Sequence, residues 1–91
     1  MVATAASLGD QLQAAFRGEV AQRLPRLRAL LADEPVELEQ VRRDAHTLAS
    51  SAVVVGLPAV AVVAREVERL LEAGLLAELP PSLTQLIGLL A

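Results

Sequence analysis

The sequence has no cysteine, tryptophan, tyrosine or lysine, a single phenylalanine and a single histidine. Each absence removes a class of chemistry. Without cysteine there are no disulfides, no thiolate nucleophile and no cysteine-based zinc site. One histidine leaves too few ligands for a transition-metal centre, and no oxygen-rich loop suited to a hard cation is visible, so no metal site is expected. The basic residues form no block and the formal net charge is -3, which argues against nucleic acid as the main partner. The missing aromatics argue against base stacking as well. The longest apolar run, residues 52–64, is too short to span a bilayer, and Gly56 and Pro58 interrupt it. The N-terminus lacks a basic n-region. Neither a membrane span nor a signal peptide is expected, and a cytoplasmic module is the default.

What remains is aliphatic. Apolar residues make up 54% of 91 residues, enough for one small domain with one core. Alanine, leucine and arginine are prominent, and all three favour helix. Residues 1–6 are small and weakly patterned, and are expected to be frayed or helical only in part. Ser7 or Asp10 caps a first helix, along which Phe16, Val20, Leu24, Leu27 and Leu31 recur at helical spacing. Pro25 falls inside it and predicts a kink near Ala21, with two shorter helices as the alternative. Asp33-Glu34-Pro35 marks a boundary, with Asp33 as a cap and the proline in the first turn of a second helix. That helix runs to about Val55, and Gly56 stops it. Pro58 opens a third helix carrying Val60, Val63, Ala64, Val67, Leu70 and Leu71, which Gly74 closes. Leu75, Leu76 and Leu79 are expected to cover one end of the core. Pro80-Pro81-Ser82 then starts a short fourth helix with Leu83, Leu86, Ile87 and Leu90 apolar. Residues 53–55 and 60–63 are rich in β-branched side chains and could be read as strands, but the helical period is continuous on both sides. The expected fold is all-α, an antiparallel four-helix bundle with a short last helix.

Within the second helix, Leu38, Val41, Ala45, Leu48, Ala52 and Val55 form one stripe. At about 100° per residue, His46 points roughly 130° away from the middle of that stripe. Arg42, Ser50 and Val53 share its side, with Arg43 close by. His46 lies ten residues before Gly56 and Glu68 twelve after it. At about 1.5 Å per residue the two side chains reach nearly the same height on antiparallel neighbours. Glu68 is therefore placed to reach His46, and Arg65, one turn nearer the connection, to flank it. A carboxylate that holds one ring nitrogen fixes the tautomer and leaves the other nitrogen bare as a nucleophile. Arg42, Arg43 and Arg65 would screen a phosphoryl group placed there. The same charges also fit an ordinary solvated helix face.

Asp44-Ala45-His46-Thr47-Leu48, followed by Ser51-Ala52 and Gly56, resembles the signature of histidine-containing phosphotransfer (HPt) domains, which include the N-terminal domain of chemotaxis-type histidine kinases. The family pattern is Ala-His-[Ser/Thr]-[Leu/Ile]-Lys-Gly, with a glycine ten residues after the histidine. Phe16-Arg17-Gly18-Glu19 with Leu24 is similar to the family's first helix. Leu38, Val41 and Arg43 match its approach to the histidine, and Ala64 with Val67-Glu68 resembles the Ala-x-x-Leu-Glu of its third helix. The resemblance covers roughly residues 16–71. It implies that residues 1–91 are a single HPt-like domain, whole or part of a longer kinase. It implies that His46 accepts a phosphoryl group through Nε2 and that Glu68 orients the ring. The implied partners are a histidine kinase catalytic domain and a response-regulator receiver domain. No cofactor is implied on this chain, Mg²⁺ being expected on the partner, and no ATP chemistry of its own.

Two positions depart from the pattern. The family's lysine is Ala49 here, and the glycine after it is Ser50. By the resemblance, the lysine steadies the phosphoryl group and the glycine lets a partner approach closely. Their loss shifts the load to Arg42, Arg43 or Arg65, or marks a degenerate domain kept only for docking or dimerisation. Ala49, Val53, Val54 and Leu57 read either as an apolar patch beside His46 that suits a partner helix or as a buried edge of the core. A general acid/base enzyme using His46 with Glu68 would need a concave pocket, which so small a bundle is not expected to have.

Overall fold

The computed structural model describes residues 7–91, and the expectation for residues 1–6 lies outside them. Four helices follow one another: α1 (Leu8–Leu31), α2 (Leu38–Val54), α3 (Pro58–Ala73) and α4 (Leu79–Leu90), the last preceded by a 3-10 turn at Leu76–Glu78. Each helix packs on its neighbours in the chain and α4 returns to α1, which closes an antiparallel bundle; α2 and α3 form the most extensive pair. Among the described residues there is no strand. The valine-rich segments at 53–55 and 60–63 lie in or beside helices, as their flanking period predicted.

Every helix contributes to one buried cluster. Leu27 of α1, Leu48 of α2, Leu70 of α3, and Leu83 with Leu86 of α4 are fully buried. Each such leucine contributes about 1.5–3 kcal/mol of transfer free energy. The ends of the predicted stripes fit less well: Leu31 and Leu38 are exposed, because both sit where the chain turns between α1 and α2. In the connection to α4 only Leu79 is buried, and Leu75 and Leu76 stay at the surface.

The helix ends have local causes. The Ser7 hydroxyl accepts a hydrogen bond from the Asp10 amide at 3.0 Å and caps α1. The helix runs unbroken through Pro25, so the two-helix alternative does not hold. Pro25 has no N–H to offer the Ala21 carbonyl, but both residues are exposed, so water can satisfy that oxygen.

Asp33 does not open α2. Its φ is 59°, and the Asp33 and Glu34 amides donate back to the carbonyls of Leu30 and Ala29. This is a Schellman closure of α1 with aspartate in the left-handed position that glycine usually takes. Pro35 consequently lies in the irregular connection rather than in a first turn, and α2 begins after Glu37 with no side-chain cap. Gly56 (φ 75°) and Gly74 (φ 72°) close α2 and α3 with the same paired bonds, from Gly56 and Leu57 and from Gly74 and Leu75. Pro58 and Pro80 then sit in the first turns of α3 and α4, where a missing N–H costs nothing.

Candidate functional site

His46 lies in the middle of α2 with 64% of its side chain exposed, and its Nδ1 is 2.8 Å from Glu68 Oε2 on α3. The α2–α3 turn at Gly56 makes the two helices antiparallel neighbours, so residues equidistant from it stand level. Glu68 is more sheltered, at 16% side-chain exposure, and its carboxylate faces the groove between the helices. An ionised carboxylate accepts hydrogen bonds only, so in the neutral ring Nδ1 carries the proton and Nε2 keeps its lone pair. A ring held in this way presents a directed nucleophile to solvent.

The three arginines expected near the ring separate. Arg42 donates to both Glu39 oxygens, with Nε at 2.9 and 2.7 Å. Its Nη1 lies 3.5 Å from Glu68 Oε2, the same oxygen that faces His46, and 3.9 Å from Glu72. The hydrogen bond to Glu39 raises the Arg42 pKa further above the usual arginine value, and the same bond holds the Glu39 carboxyl below the usual carboxylate range. Arg42 thus braces the Glu68 oxygen that faces the ring. Arg43 bonds Gln40 at 3.4 Å and is not part of the wall around the imidazole. Arg65 does line the hollow at His46, together with Ala49, Ser50 and Glu68.

That hollow is about 210 Å³, below the roughly 300–1,000 Å³ of small-molecule sites. No deep cleft supports an acid/base enzyme there. The apolar patch expected beside the ring divides. Ala49 is buried at the edge of the core while still flooring the hollow, whereas Val53 and Val54 are exposed. Val53 and the half-buried Leu57 line a neighbouring hollow that Arg65 also borders, and Val54 faces a different one with Phe16. Among the described residues no three histidine or carboxylate side chains gather to hold a metal ion, and no helix is long and apolar enough to cross a membrane.

One feature of α2 was missed in the sequence. Asp44, two residues before His46, is 1% exposed. Its carboxylate accepts a bidentate pair from Arg26 of α1, Nε at 2.5 Å and Nη2 at 2.8 Å, and a third bond from Gln40 at 3.1 Å. Arg23 Nε lies 3.7 Å away, buried and without a hydrogen-bond partner. A buried carboxylate persists only when paired and hydrogen-bonded in this way. The signal was available: Asp44 is three residues after Val41 and four before Leu48, so the spacing that buries those two also buries it. The bond to Asp44 raises the Arg26 pKa further above the arginine range, so that guanidinium stays charged at any physiological pH.

The family model described as Hpt domain matches residues 11–91, and the chain belongs to that family. Comparison with curated proteins and with solved structures gave no match. Membership implies a phosphotransfer role in two-component signalling, the setting in which Hpt domains meet histidine kinases and response regulators.

Proposed function

We propose that this domain carries a phosphoryl group on His46 Nε2, received from a histidine kinase catalytic domain or a phosphorylated receiver and passed to a receiver aspartate. The observation that carries the reading is the 2.8 Å contact between Nδ1 of an exposed imidazole and Glu68. The Nε2 lone pair attacks phosphorus in line. A P–N bond forms as the donor's P–O bond breaks, and the electron pair leaves on the donor oxygen. The Nδ1 proton stays in its hydrogen bond with Glu68, which stabilises the cationic ring that results. Onward transfer reverses the sequence: the aspartate oxygen attacks, the P–N bond breaks and the ring regains its lone pair. The partner supplies Mg²⁺ and most of the charge stabilisation, while this chain supplies position. The domain works either as a free carrier or as part of a longer kinase. A cytoplasmic site of action follows from this reading, since the ATP that charges the kinase is there.

Incubation with an ATP-charged histidine kinase, or with a phosphorylated receiver, is expected to give an acid-labile label on the wild-type chain and none on His46→Gln. Label that persists in the variant would sink the assignment.

Ala49 and Ser50, in place of the lysine and glycine of the resembled motif, favour a second reading in which the bundle only docks. It requires receiver or kinase binding that is indifferent to His46→Ala, with no phosphorylation. Labelling of the wild-type chain excludes it.

A further inference from the structure

A phosphoryl group on Nε2 would stand in an unfavourable field. Glu68 is in the same hollow, Glu39 and Glu72 lie beside it through Arg42, and the chain is net negative. Where no partner metal meets the phosphoryl oxygens, a cation of this chain is needed to do so. Arg42 is already balanced by its carboxylates and touches the Glu68 oxygen that faces Nδ1, so it serves the side of the ring away from the reacting nitrogen. Arg43 is turned to Gln40.

We infer that Arg65 is the group that binds the transferred phosphoryl oxygens, an assignment that rests on His46 being the acceptor. Arg65 is exposed, borders the hollow and has no hydrogen-bond or ion-pair partner among the described residues. It stands three residues before Glu68, on the same face of α3. A guanidinium offers a planar fork that matches two phosphoryl oxygens at once, and an unpaired one loses no existing contact by turning to them. Ser50 lines the same hollow from α2, and its hydroxyl is a donor available to the third oxygen. On this assignment α3 supplies both the acid that sets the ring and the cation that receives the charge.

The test uses phosphoramidate, a small donor that needs no protein partner. Its P–N bond breaks as the bond to Nε2 forms, and ammonia leaves with a proton from solvent. The intact chain is incubated with it and phosphohistidine is followed by ³¹P NMR. Arg65→Ala is expected to label about tenfold more slowly, and Arg65→Lys within about threefold of wild type, since a charge-assisted hydrogen bond is lost in one and kept in part in the other. Raised salt should slow the wild type and leave Arg65→Ala nearly unchanged. An Arg65→Ala rate within about twofold of wild type, or an Arg65→Lys rate as low as that of Arg65→Ala, overturns the role of Arg65 and leaves His46 as acceptor. A wild-type chain that takes no label overturns both.

Discussion

A neutral imidazole has one N–H and one lone pair, and a carboxylate beside Nδ1 decides which nitrogen holds which. Glu68 has a shape as well as a charge to contribute, and the two are separable. Glu68→Ala removes both, and is expected to slow phosphorylation of His46 by about ten- to a hundredfold through misorientation of the ring. Glu68→Gln keeps an oxygen that accepts from Nδ1–H, and should lose less. Initial labelling rates with thermal melting as a control decide this, and equal losses would mean that charge alone matters. The His46–Glu68 pairing was legible because helical rise and one glycine stop fix the height of both residues. The fate of the arginines was not, since spacing gives a residue's height and face but not which of several carboxylates it turns to. Arg42 has three within reach.

Between elements, the tie of α1 to α2 depends on a buried carboxylate rather than on apolar contact alone. Removing one partner of such a pair costs more than the pair contributes, because it leaves a charge out of water. Arg26→Ala leaves Asp44, which is 1% exposed, to Gln40 and the more distant Arg23, and is expected to destabilise the fold by about 2–3 kcal/mol. Asp44→Ala should cost less, because 39% of the Arg26 side chain is exposed and its guanidinium keeps access to water. Urea unfolding of both variants checks the order, and the reverse ranking would contradict this account. Asp44 escaped the sequence reading because an acidic residue next to a motif histidine looks like part of the motif. Asp33 was misassigned for a related reason. Aspartate suits both a helix start and a left-handed closure, and only the backbone shows which one is used.

For the whole molecule, composition and period were enough to give four helices, their order and their antiparallel packing. The errors fall at the connections, where exposed leucines break the stripe rule. Surface electrostatics also act at this scale. Hydrogen bonds from Arg42 and Arg69 hold Glu39 and Glu66 below the usual carboxylate pKa of 4.5. A carboxylate with a lowered folded-state pKa adds stability above its unfolded value, and that stability is lost as pH falls through the folded value. The fold should therefore weaken as pH drops below about 4.5, and Glu39→Gln/Glu66→Gln should flatten part of that acid limb. Both side chains are about half exposed, at 56% and 42%, so molar salt should flatten it too. Urea midpoints across a pH series measure this, and an unchanged slope in the double variant would exclude these two pairs as the source.

The hairpin of α2 and α3 also works as a ruler. His46 and Glu68 are separated by 22 residues along the chain, folded back at a single left-handed glycine. One residue spliced into either arm between that bend and the pair would turn its side chain by about 100° and lift it by about 1.5 Å, carrying acid and ring out of register. The α1–α2 hairpin sets the Arg26–Asp44 pair, which holds the fold and not the ring. Chain length on the α2–α3 hairpin is thus fixed by the distance it measures out between a base and its guide.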